Sequence, residues 1–285
     1  MSGLEFNFTE ADFRTLSRLA LEDAGIELNE GKRTLVYSRL AKRLRSLGLR
    51  DFSEYCSLIQ EHEGAQERRH FVSQLTTNVT KFYRESHHFD HLSAHAIGQI
   101  REKTRRGQPV RIWSAACSSG EEPYSIAIEL AKHMTPQELS HIKILATDID
   151  NKILASASKG IYPATALANL APELRQRFFT ETDQSGALQV STEIRQLVTF
   201  RHLNLIKTWP VKGPFDAVFC RNVAIYFPDN IQHDLWENFS RVIAKDGFLY
   251  IGHSERITGA TARRFTSKGA TIYQLTDAVG ARSNA

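Results

Sequence analysis

The sequence predicts an α/β protein built on a doubly wound, mostly parallel sheet, with an N-terminal all-helical domain and a small antiparallel β-subdomain inserted in the sheet domain. Three observations carry this reading. From Val110 onward, apolar strand-like runs alternate with helical patterns, the signature of parallel strands joined by crossover helices. From Phe8 to about Gln74, helical patterns alternate with polar breaks and no convincing strand intervenes. Late in the chain, TETDQSGALQVSTEIRQLVTFRHLNL sets a DQSG turn signal between β-capable runs, which reads as a hairpin insertion at about 176–201.

Taken in order, residues 1–74 form the helical domain, with breaks at GIELNEGK, LGLRDF and EHEGAQ. Within it, Val36, Leu40, Leu44 and Leu47 share one helical face with Tyr37 beside them, while Arg39, Lys42, Arg43 and Arg45 lie on the other. No acid occurs between Gly31 and Arg50, so this helix can dock and still present positive charge. A solvated surface is the plainer reading of such a run, and an acidic partner the sharper one. Residues 75–109 read as a helical linker closed by the RRGQP loop. The sheet domain, 110–276, then runs strand 110–115, helix 122–133, strand 142–147, helix 150–158, strand 215–220, helix 229–244 and strand 247–252. A C-terminal tail, 277–285, ends the chain.

The segment VRIWSAACSSGEEPYSIAI centres the chemistry. A strand that feeds through small residues into a helix lets a ligand approach the backbone, and Pro123 suits the first helical turn. The next strand-like run places Asp148 at its carboxyl end, where open α/β sheets present an acid to a ribose. A dinucleotide fingerprint needs three spaced glycines, but only Gly120 is present. Glu121 and Glu122 at the helix start would also repel a pyrophosphate, unless they merely complement the helix dipole. S-adenosylmethionine, with a sulfonium, an amino group and a ribose but no phosphate, fits these acids better.

Composition sets the remaining bounds. A formal net charge of +4 does not by itself imply nucleic-acid binding. Cys56, Cys117 and Cys220 are widely spaced and lack C-x-x-C pairing, which argues for reduced thiols rather than a disulfide framework or zinc site. No apolar run is long enough to span a membrane, and the N-terminus lacks the regions of a signal peptide, so a cytoplasmic protein is expected. His87, His91 and His95 can share a helical face, but without H-E-x-x-H they read as packing or surface residues and no metal is expected. His253, Ser254 and Glu255 are adjacent, unlike the separated members of a hydrolytic triad.

Several separated motifs, LTTNVTKFYRESHHF, IWSAACSSGEEPYSIA, ATDID, FDAVFCRNVAIYF and DGFLYIGHSE, together strongly resemble the chemotaxis receptor protein-glutamate O-methyltransferases, the CheR family. YSRLAKRLRSLGL resembles their basic N-terminal helix, so the match runs from about residue 10 to 276. The resemblance implies a class I S-adenosylmethionine-dependent methyltransferase domain. It implies transfer of methyl to glutamate side chains of chemoreceptors, giving glutamyl methyl esters and S-adenosylhomocysteine in chemotactic adaptation. The protein is expected to be a cytoplasmic enzyme, recruited to the cytoplasmic helical region of membrane-bound receptors and acting as a monomer. In part of the family a receptor C-terminal peptide docks on the β-subdomain.

By the same resemblance Asn78, Thr80 and Arg84 face the cofactor and active site, Glu122 and Asp148 bind cofactor polar groups, and Asn204 and Leu205 border the adenosine pocket. Arg221 and Asn222 join the cofactor set, Arg84 and Tyr226 orient the acceptor, and Arg39, Lys42, Arg43 and Arg45 meet the receptor. Without the resemblance, Asn78 and Thr80 would read as polar helix caps. A non-catalytic cofactor-binding adaptor is the alternative from another class. A nucleic-acid methyltransferase is weaker, because Val223 and Ala224 replace both prolines of an N-P-P-Y element.

Overall fold

The computed structural model describes residues 5–276, so the tail at 277–285 lies outside the described residues. The chain divides into two compact units: the first comprises everything up to Thr77 together with Tyr226–Ile231, and the second the remainder.

The first unit contains helices α1 (Glu10–Ala24), α2 (Arg33–Leu47), α3 (Phe52–Gln60) and α4 (Ala65–Leu75). Thr9 starts α1 with a capping box: its hydroxyl accepts from Asp12 N–H at 3.2 Å, and the Asp12 carboxylate accepts from Thr9 N–H at 2.9 Å. In α2 the apolar face lands inward, with Val36, Leu40 and Leu44 fully buried. Beside it Tyr37 packs at a tilt against Phe52, which in turn packs against Phe8 at 4.2 Å between ring centroids.

The second unit opens with α5 (His87–His91), which passes through a π-helical turn at Leu92–Ala96 into α6 (Ile97–Arg105). Then follow β1 (Val110–Ala115), α7 (Glu121–His133), α8 (Pro136–Leu139), β2 (Ile142–Asp148), α9 (Asn151–Lys159), β3 (Ile161–Pro163), α10 (Pro172–Phe178), β4 (Phe179–Glu181) and β5 (Ala187–Val190). The last elements are α11 (Thr192–Arg195), β6 (Val198–His202), β7 (Phe215–Cys220), α12 (Asp229–Val242), β8 (Ile243–Ile251), β9 (Phe265–Gly269) and β10 (Ile272–Leu275).

The main sheet has seven strands in the order β6-β2-β1-β7-β8-β10-β9, parallel from β6 through β8 and antiparallel at the β10 and β9 edge. Both faces of β1 are covered, and its near-continuous burial matches an apolar run of a central parallel strand. Trp113 packs edge-on to Trp209 and Phe239 on one face, while Ile112 joins the core on the other. The chain moves from β1 to β2 on one side and later places β7 on the other. That reversal opens a crevice at the carboxyl ends of β1 and β7, where ligands of such sheets bind.

The strands from β1 to β8 lie close to where the sequence puts them, but three stretches differ. The small antiparallel sheet has the order β3-β5-β4 and so begins at Ile161, well before 176. Residues Val198–His202, read as part of the insertion, instead pair with β2 as the parallel edge of the main sheet. An edge strand open on one side shows the same alternation as a hairpin strand, which is why the pattern did not separate them. The linker is helical only from His87; residues 76–86 form a loop in which Tyr83 and Glu85 have φ of 52° and 55°.

Candidate active site

The loop from Ala116 to Gly120 turns β1 into α7 through left-handed backbone at Ala116, Ser118 and Gly120, with φ of 63°, 50° and 95°. Gly120 is required twice over: besides its φ, a Cβ there would lie 2.9 Å from the Tyr162 hydroxyl and 3.0 Å from Ala157 Cβ. Asp148, at the end of β2, holds this loop. Its Oδ2 accepts from Ser118 N–H at 2.9 Å and its Oδ1 from Asp150 N–H at 3.0 Å. Asp150 has a separate task, capping α9 by accepting from Lys152 N–H at 2.8 Å.

Other segments converge on the same sheet end. Leu203 N–H donates to the Asp148 carbonyl at 3.0 Å, which sets Asn204 and the buried Leu205 directly after the end of β6. Ser118 Oγ donates to the Asn78 carbonyl at 3.2 Å and ties the 76–86 loop, with Asn78 and Thr80, to the loop after β1. Arg84 Nη1 donates to the Val79 carbonyl at 2.7 Å. Tyr83, Glu85, Ala116, Ser118 and Asn222 account for five of seven non-glycine residues with positive φ among the described residues. Such backbone persists where the surroundings over-determine it, as in ligand-binding loops.

A buried charge network crosses the crevice. Glu122, on the first turn of α7, accepts from Ser114 Oγ at 2.6 Å and from Arg221 Nη1 at 3.0 Å. Arg221, at the end of β7, also reaches Glu85 Oε2 at 3.2 Å and donates to the Arg84 carbonyl. Glu85 Oε1 is 3.3 Å from Asn222 Nδ2 and 3.0 Å from His253 Nδ1. Burial alone would raise the Glu85 carboxyl, but Arg221 and the hydrogen bonds from His253 and Asn222 hold it down at about 2. The sequence reading did not single out Glu85, although it lies in the LTTNVTKFYRESHHF run beside Arg84.

The donor set suits a cation. Burial pushes the Glu121, Glu122 and Asp148 carboxyls above their usual range, in Glu122 despite Arg221 and in Asp148 despite its backbone hydrogen bonds. Three buried acids with this upward pressure gain from a positively charged ligand, as the sulfonium and amino groups of S-adenosylmethionine provide. The left-handed loop and Gly120 let the backbone pack directly against Tyr162 and Ala157.

The structure shows internal partners for two groups of charged and polar residues. Arg221 and Asn222, expected to bind cofactor, spend side-chain donors on Glu122 and Glu85, so their visible work is internal. The acid-free basic face of α2 is also largely paired, by residues remote in sequence. Arg39 caps the end of α4, donating to the Leu75 carbonyl at 2.6 Å and to Thr77 Oγ1 at 2.9 Å. Arg43 forks onto Glu67, which Tyr55 also holds, and Arg45 pairs with Glu5. Lys42 is exposed.

Tyr226 ends the 3₁₀ turn Ala224–Tyr226 and groups with the first unit, where its carbonyl accepts from Glu27 N–H at 2.9 Å. Of the linker histidines, His91 is buried with Nδ1 3.1 Å from the Tyr250 hydroxyl, whereas His95 is exposed. Among the described residues no group of His, Cys, Asp and Glu side chains is arranged to hold a metal, and no helix is long and apolar enough to cross a membrane.

Comparison with known proteins places these features in a lineage. The family model described as "CheR methyltransferase, SAM binding domain" matches residues 78–273, and "CheR methyltransferase, all-alpha domain" matches residues 11–76. A probable chemotaxis protein methyltransferase of Rhizobium etli is 48% identical over 256 residues, 89% of this chain and 96% of that protein. The chemotaxis protein methyltransferase of Escherichia coli K12 is 43% identical, covering 94% of this chain and 91% of its own length.

Proposed function

The chain belongs to the CheR methyltransferase family, and from that premise we propose that it transfers methyl from S-adenosylmethionine to glutamate side chains of chemoreceptors during chemotactic adaptation. The carrying observation is the set of buried carboxylates, Glu121, Glu122 and Asp148, around a glycine-poor loop at the sheet's switch point. S-adenosylmethionine supplies an electrophilic methyl on a sulfonium. Asp148 and Glu122 are the groups that would hold its polar ends, and Asn204 and Leu205 would border the adenosine. The acceptor demands little proton chemistry, because a glutamate with a pKa of about 4.3 is ionised near neutral pH. The chain's remaining work is orientation, which can contribute roughly 7–11 kcal/mol.

Arg84 and Tyr226 are the residues assigned to that orientation. A tight ion pair between Arg84 and the acceptor would stabilise the reactant more than the transition state, because carboxylate and sulfonium neutralise each other as methyl moves. Arg84 therefore aligns the acceptor more than it neutralises it. Receptor association is assigned to the first unit, with Lys42 and the solvent-facing Arg45 as the steering charges of α2. A receptor C-terminal peptide is assigned to an edge of the β3-β5-β4 sheet, as an added strand, and the enzyme is taken to act as a monomer in the cytoplasm.

An acceptor panel tests the reading: labelled cofactor with receptor cytoplasmic fragments, with and without their C-terminal tails, and with DNA or RNA. Label in receptor fragments alone supports it. Receptor binding without label would favour an adaptor, and label in nucleic acid would overturn the acceptor class.

A further inference from the structure

Glu255 lies in the GHSE run after β8 and is 3% exposed. Its Oε1 accepts from the backbone N–H groups of Val223, Ala224 and Ile225 at 2.9, 2.7 and 3.3 Å. Its Oε2 accepts from Asn222 N–H at 3.0 Å and from Gly252 N–H. The four consecutive peptide N–H groups that follow Arg221 thus converge on one side chain. An ionised carboxylate is acceptor-only and offers about four lone-pair sites, so it suits a turn whose amides all point inward.

The fit extends to the neighbouring backbone. Asn222 is held in left-handed conformation, φ 58°, and its side chain is tied to Glu85. At Gly252 a Cβ would lie 2.7 Å from Asn222 N and 2.8 Å from Glu255 Oε2, so the end of β8 must present bare backbone to this turn. Two separate features, an anion and a missing side chain, therefore serve one purpose: they fix the path of the chain from Arg221 to Ile225, whose next residue is Tyr226.

We propose that Glu255 is a positioning residue for methyl transfer, holding the turn after β7 in the geometry that aligns the acceptor. The proposal rests on the functional reading above, in which Tyr226, the residue that follows this turn, aligns the acceptor. Glu255→Gln keeps the size of the side chain but turns an NH₂ toward N–H donors. Gly252→Ala leaves Glu255 intact and crowds the same turn.

The test measures, for both variants beside wild type, turnover with receptor fragment, cofactor affinity by calorimetry, and hydrogen exchange of amides 222–225. Turnover falling about tenfold to a hundredfold with cofactor affinity within about threefold supports the proposal, as does faster exchange at 222–225. Turnover within twofold of wild type overturns it. So does an equal loss of turnover, cofactor affinity and unfolding midpoint, which would make Glu255 merely structural. If wild type itself labels no receptor fragment, the functional reading falls and the positioning role with it, while the exchange difference still reports whether Glu255 anchors the turn.

Discussion

Arg221 Nη1 stands 3.0 Å from Glu122 Oε2, and the two side chains are 2% and 11% exposed. The pair joins the end of β7 to the first turn of α7, across the place where the strand order reverses. Removing one partner of a buried pair leaves the other charge uncompensated, at a cost of about 3–5 kcal/mol. Arg221→Met is therefore expected to lower unfolding stability by about that amount in urea titrations. A loss below about 1 kcal/mol would show that Glu122 and Glu85 do not depend on Arg221.

Glu85 should make stability pH-dependent on the acid side. Its carboxyl titrates at about 2 in the folded chain, below the value of about 4.3 for a free glutamate. Its contribution is thus fully present above the unfolded value and is lost as pH falls through the folded one. Urea midpoints of wild type and Glu85→Gln should differ most near neutrality and converge as pH drops below about 4. A constant gap down to pH about 3 would contradict the assigned coupling.

Arg84→Ala and Tyr226→Phe should lower methyl transfer more than cofactor affinity, since both are assigned to the acceptor. Turnover and calorimetry on the same preparations separate the two effects. Equal losses in both would reject a selective catalytic role.

On α2 the cations should fall into two classes. Arg43→Ala takes from Glu67, whose side chain is 10% exposed, its guanidinium partner, and should cost about 1–3 kcal/mol of stability. Lys42→Glu together with Arg45→Glu should leave stability nearly unchanged, because Arg45 and Glu5 are half-exposed partners. The double variant should weaken receptor association most at low salt. Full receptor affinity after this reversal would remove α2 from the receptor contact.

What the sequence made legible follows from which forces act locally. The strands β1, β2 and β7 were readable because buried parallel strands are continuous apolar runs, and the turn into α7 because small residues and a helix-starting proline sit together. The partners of the basic face were not readable, because Glu67 and Glu5 lie 24 and 40 residues from Arg43 and Arg45. Absence of nearby acids says nothing about acids that folding brings in. β6 was misplaced because its alternation is common to edge strands and hairpins, and only pairing with β2 decides between them. Glu85 and Glu255 escaped for a related reason: each acts on backbone or side chains that are distant in the chain, and a lone glutamate carries no pattern.

The central claim is that the product is a methyl ester on a receptor glutamate. Incubation with methyl-labelled S-adenosylmethionine and a receptor cytoplasmic fragment, followed by mild base, tests it most directly. The account predicts label that base releases as methanol and that disappears when the acceptor glutamates are replaced by alanine. Label that survives base, or that persists in the replaced fragment, would contradict it.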